Sequence, residues 1–104
     1  YGLKLVVLVC NNGLYGTIRM HQERHFPGRG MATTLVNPDF VALAKAYGCQ
    51  AERVKETAEF RPALRRSLDH AGPSLIELVV DPEAITPRTT LSAIRTAAIK
   101  IAKG

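Results

Sequence analysis

No stretch of the 104 residues is apolar for long enough to span a membrane, and no internal repeat or low-complexity segment is evident. Cysteine is scarce: Cys10 and Cys49 make neither a disulfide framework nor a metal-binding spacing, and each reads most simply as a small buried apolar group. The sequence shows no basic leader or cleavable apolar segment and so no targeting signal, while the cysteine usage sets the expectation of a cytoplasmic protein, with no membrane partner expected. Also missing are a legible Ser/His/Asp or Cys/His arrangement and any DNA-binding motif. The net charge of +5 is spread over Arg19, Arg24 and Arg29, over Arg61, Arg65 and Arg66, and over Arg88, Arg95, Lys100 and Lys103. These residues are mixed with acids and lack interleaved aromatics, so they read as a solvated surface and nucleic acid is not an expected partner.

What is present is a 46% apolar chain of a size that makes one domain at most and buries about two-thirds of its unfolded surface. Residues 3–19, LKLVVLVCNNGLYGTIR, organise the reading. Leu3, Leu5, Val6, Val7, Leu8 and Val9 are almost continuously apolar and rich in β-branched types, which predicts a parallel strand covered on both faces. Polarity then changes within one residue, at Asn11, Asn12 and Gly13, types that tolerate turn backbone. Residues 15–24 read as a helix. In open parallel sheets ligands bind outside the carboxyl ends of strands, and a helix N-terminus there favours phosphate. Asn-Gly is also a hairpin signal, but residues 14–25 do not alternate with period two, so no partner strand follows. Residue types alone leave a ligand-binding turn and a purely structural one both open.

Downstream, residues 26–36 read as a Gly- and Pro-containing loop that could cover a cofactor or line a subunit contact. Asn37-Pro38 is expected to start a helix, with Asn37 as cap, and Phe40, Leu43, Ala44 and Tyr47 are expected on one face before Gly48 stops it. Residues 51–54 make a weak strand. Thr57 is expected to cap the next helix, with Phe60, Leu64 and Leu68 four apart, and Pro62 requires an irregular first turn or a later start. Residues 74–80, SLIELVV, form a second buried strand, in which Glu77 is either a paired buried acid or edge-facing; Asp81 caps the loop after it. Thr89 or Thr90 caps a last helix whose Leu91, Ile94, Ala98 and Ile101 dock on the sheet or on a neighbouring subunit. His21 and His25 lie four apart without a third ligand and read as an exposed helix face rather than a zinc site, while His70 complements a helix end. The order strand, helix, helix, strand, helix, strand, helix predicts an α/β fold with a parallel sheet and flanking helices.

Residues 6–22, VVLVCNNGLYGTIRMHQ, resemble the second half of the thiamine diphosphate motif of the acetolactate synthase, benzoylformate decarboxylase and pyruvate decarboxylase superfamily. The similarity runs on through NPDFVALAKAYGCQAERV and GPSLIELVVDP to the tail. The resemblance implies that residues 1–104 are the C-terminal portion of a thiamine diphosphate-binding domain, with residues 85–104 as its tail helix. It implies that the Asn12 side-chain oxygen and the Leu14 backbone carbonyl ligate Mg2+. It also implies that Gly13, Tyr15 and Gly16 lie under the cofactor diphosphate. The family's upstream Gly-Asp-Gly does not precede the strand, nor does the domain carrying the activating glutamate, so the fragment by itself is expected to be inactive. As part of a whole enzyme the resemblance implies a 2-oxo acid substrate, decarboxylation with or without carboligation, and a homo-oligomer, dimer or tetramer. A benzoylformate decarboxylase-like lyase and a non-catalytic α/β interaction domain are the alternatives.

Overall fold

A computed structural model describes residues 2–103. They divide into two compact units: the first takes in the chain up to Asn11 together with Asn37–Val80, the second Asn12–Val36 together with the chain from Asp81 onward.

The first unit is a three-stranded parallel sheet with two helices, so the α/β expectation is met. Its strands are β1 (Val6–Asn11), β2 (Gln50–Val54) and β3 (Ser74–Val79), in the order β1-β3-β2. Val9 of β1 and Arg53 of β2 both stand opposite Glu77 of the central strand. Centrality explains the burial of β3, where Ser74, Ile76 and Glu77 are all buried. β1, by contrast, is an edge strand with Val7 40% and Leu8 47% exposed, so the expected cover on both faces is not found. The same edge position leaves Cys10 exposed rather than buried; Cys49 is half-buried. An apolar run records what a strand tolerates, not how many neighbours this chain supplies for it.

The helices of this unit are α2 (Phe40–Ala46) and α3 (Thr57–Asp69), both packed on β2 and β3. Ile76, Val54 and Ala63 form the core, with Val6, Phe60, Leu64 and Leu78 around them. Strand alternation turns Glu77 to the other face. There Arg53 Nε donates to Glu77 Oε2 at 2.7 Å and Asn11 Nδ2 to Glu77 Oε1 at 2.8 Å, which makes Glu77 a paired buried acid. Arg53 Nη2 also reaches Asp39 Oδ1 at 2.8 Å, and Asp39, not Asn37, caps α2 by accepting from Ala42 N–H at 3.0 Å. Asn37 is drawn off because its Nδ2 donates to Asn11 Oδ1 at 2.8 Å. Gly48, at φ +77°, ends α2 as expected, but Tyr47 is 79% exposed and Leu43 45%, so Ala44 alone of that face is buried.

Thr57 is the first helical residue of α3 rather than its cap. Glu56 and Glu59 close a reciprocal capping box ahead of it, which commits the helix early enough that it runs on through Pro62. Ala63 and Ser67 are the buried residues of α3, while Leu68 is 47% exposed.

The second unit holds α1 (Gly16–His25) and α4 (Leu91–Lys103), which pack together. Part of the α4 stripe is taken up by this pairing with α1. Leu91 is buried, Ile94 and Ala98 are half-buried and Ile101 is 81% exposed. Thr90 Oγ1 accepts from Ala93 N–H at 3.2 Å and Glu83 from Ser92 N–H at 2.9 Å, so α4 is capped twice. Asp81 accepts from Glu83 N–H at 2.9 Å, the loop-capping role expected of it.

Candidate functional site

Residues 12–16, which follow β1 directly in the chain, lie wholly within the second unit. Asn12 Oδ1 accepts from Leu14 N–H at 3.1 Å, a side-chain-closed turn that asparagine makes readily. Gly13 sits at φ +67° with no atom near the place of a Cβ, so glycine is required here by backbone conformation and not by space. Leu14 then pairs with Thr34 in an isolated antiparallel bridge: Tyr15 N–H donates to the Thr33 carbonyl at 2.9 Å and Leu35 N–H to the Gly13 carbonyl at 2.8 Å. Helix α1 begins at Gly16. A Cβ there would come within 2.8 Å of Ile85 Cδ1 and 3.0 Å of Asn12 Nδ2, so a larger residue would push the ends of these two side chains aside, the Asn12 amide among them.

Three features bear on whether this turn suits a metal ion and a diphosphate. Among the described residues the Leu14 carbonyl accepts no hydrogen bond, although the Gly13 and Tyr15 carbonyls on either side both do. Asn12 Oδ1 has one lone pair committed to Leu14 N–H and a second left. Both are hard oxygen donors of the kind magnesium takes in small number from protein. The start of α1 carries no side-chain cap and no acid in its first turn, so no side chain of its own first turn competes for its N–H groups. Leu14, Tyr15, Gly16, Thr17 and Ile18 line a depression of about 280 Å³. The residues therefore fit the group, with one refinement: the Tyr15 N–H is spent on Thr33, which leaves an anion the N–H groups that follow it.

A second cluster supports this turn, and the sequence reading did not find it. Glu23 on α1 has a fully buried side chain, and its carboxylate accepts from Arg95 Nε and Nη2, both at 2.7 Å, from Gly28 N–H at 2.9 Å and from Arg19 Nε at 3.1 Å. The Arg95 guanidinium above all, then the Gly28 N–H and Arg19, hold its pKa down to about 2 against the opposing effect of burial. The i,i+4 spacing of Arg19 and Glu23 was visible, but nothing local marks Arg95, 72 positions away. His21 and His25 stack with ring centroids 6.3 Å apart on an exposed face. No group of three or more His, Cys, Asp or Glu among the described residues is placed to hold a metal.

A parallel α/β sheet whose first strand leads in the chain into an uncapped, oxygen-presenting turn is the element order of the open α/β class of domains. Within that class, residues 1–78 match the family described as thiamine pyrophosphate enzyme, C-terminal TPP binding domain. The chain belongs to this family. It is 33% identical over 82 residues to an acetolactate synthase of Arthrospira platensis, covering 77% of this chain and 14% of the relative. The mitochondrial acetolactate synthase catalytic subunit of Saccharomyces cerevisiae is 34% identical over 80 residues, covering 77% and 12%. The large subunit of acetolactate synthase isozyme 2 of Escherichia coli is 32% identical over 80 residues, covering 76% and 15%. The chain thus spans about one-seventh of the length of these curated relatives.

Proposed function

We propose that this chain is the C-terminal portion of the cofactor-binding domain of a thiamine diphosphate-dependent enzyme acting on 2-oxo acids in the manner of acetolactate synthase. In this reading its turn anchors Mg2+ and the cofactor diphosphate. The observation that carries the reading is the Leu14 carbonyl, which among the described residues accepts no hydrogen bond, two residues after Asn12 and just ahead of the uncapped start of α1. Asn12 Oδ1 and the Leu14 carbonyl supply two oxygens to the ion, and the first N–H groups of α1 face the diphosphate. The absence of a side chain at Gly16 leaves room for the Asn12 amide, whose Nδ2 a Cβ would meet at 3.0 Å. When bound, the cofactor supplies a nucleophilic carbanion and an electron sink for decarboxylation. The chain's own part is to hold the cofactor's charged end at one place, so that its reactive end is presented in constant register.

The test is Asn12→Ala in the longest natural form of the protein. Loss of one metal ligand should weaken magnesium-supported thiamine diphosphate binding by about tenfold or more, read by calorimetry, with the circular dichroism spectrum unchanged. Unaltered affinity in a folded variant would refute the role.

A further inference from the structure

We propose that Thr33, steadied by Arg19 and Glu23, is a positioning residue that aims the Leu14 carbonyl at the metal, an assignment that rests on the reading of the turn as a magnesium anchor. The Leu14 C=O and the Tyr15 N–H belong to one peptide group. In a trans peptide, and no described peptide is cis, these two bonds point in opposite directions within one plane. The Tyr15 N–H is taken by the Thr33 carbonyl at 2.9 Å, and among the described residues this is the sole hydrogen bond of that peptide group. Whatever places the Thr33 carbonyl therefore also sets the direction of the Leu14 oxygen.

Thr33 is itself firmly placed. It is 2% exposed, and its Oγ1 accepts from Arg19 Nη1 at 3.3 Å and donates to Gln22 Oε1 at 3.3 Å. Gln22 also grips the backbone two residues earlier, donating to the Met31 carbonyl at 2.8 Å and accepting from Met31 N–H at 3.2 Å. Between these holds lies Ala32 at φ +55°, a left-handed conformation unfavourable to a residue with a Cβ, which the clamps on either side maintain. Arg19 is in turn oriented by the buried Glu23 carboxylate, which Arg95 and Gly28 fix. Hydrogen bonds thus link a buried carboxylate through Arg19 to the Thr33 hydroxyl, and the carbonyl of the same residue holds the peptide whose oxygen faces the ion. A carbonyl held ready before the ion arrives does not have to be ordered at the moment of binding.

The experiment measures two quantities on the longest natural form of the protein: magnesium-supported thiamine diphosphate affinity by calorimetry, and hydrogen exchange at the Tyr15 amide without ligand. Thr33→Val keeps the side-chain shape and removes the hydroxyl; Thr33→Ser keeps the hydroxyl. Thr33→Val should lower the affinity about tenfold and speed exchange at Tyr15, and Thr33→Ser should restore both. If Thr33→Val does not fold, Arg19→Lys, which keeps the charge beside Glu23 but loses the Thr33 contact, should give the same pair of changes. Wild-type affinity despite faster Tyr15 exchange would overturn the proposal, as would unchanged exchange. If the unsubstituted protein shows no magnesium-supported binding while Tyr15 exchange still responds to Thr33→Val, the anchor reading has failed. The Leu14 assignment then falls with it, leaving the Thr33 contacts purely structural.

Discussion

Glu23→Gln should cost about 3 kcal/mol of stability at neutral pH and abolish a pH dependence that the unsubstituted protein carries. The Glu23 carboxyl is drawn from 4.5 down to about 2, chiefly by the Arg95 hydrogen bonds. A shift of that size corresponds to the same ~3 kcal/mol of preference for the ionised form in the folded state. The sign follows from which state binds protons. Between about 4.5 and 2 the unfolded chain is protonated at this position and the folded one is not, so the contribution is full above the upper value and disappears as pH falls through the lower. Glutamine keeps the volume and one acceptor oxygen but leaves Arg19 and Arg95 without their counter-charge. Their side chains are 24% and 35% exposed, so water can reach both, and the loss stays at the lower end of the ~3–5 kcal/mol range for breaking a buried pair. The assay is urea unfolding of both proteins at a series of pH values from neutral downward. The gap between them should be widest at neutral pH and close as Glu23 becomes protonated. A gap independent of pH, or none at neutral pH, would show that the buried carboxylate is not the tie between α1, α4 and the segment at Gly28.

Two further outcomes follow from the first unit. Ile76, fully buried on the central strand, leaves a cavity when cut back, so Ile76→Ala should lower unfolding stability by about 2–5 kcal/mol in denaturant titration. Gly48 stands at φ +77° with open space around it, so Gly48→Ala should cost about 1–2 kcal/mol through backbone strain alone, while Gly48→Asn costs less.

The strands and helices were legible because their signals are local. The SLIELVV run, the Asn-Asn-Gly break and Gly48 each express a preference that needs no distant partner. The helix starts were misread where a partner intervened. Asn37 has the right chemistry for a cap, but Asn11 engages its side chain and Asp39 takes the position. Thr57 is displaced by a pair of glutamates whose spacing matters more than its own hydroxyl. The β1 run showed a strand without showing that it lies at a sheet edge. At the site, residues 12–16 stood out by type, but the features that set their geometry did not. The Thr33 carbonyl is a backbone group without a sequence signature, and the Glu23–Arg95 pairing joins residues that only folding brings together.

The most direct measurement is a calorimetric titration of thiamine diphosphate into the longest natural form of the protein, with and without magnesium, repeated on Asn12→Ala. Binding should be saturable, require magnesium and weaken about tenfold or more on the substitution. Binding that ignores magnesium, or no binding to the intact folded protein, would contradict the assignment of the Asn12 and Leu14 oxygens to the ion.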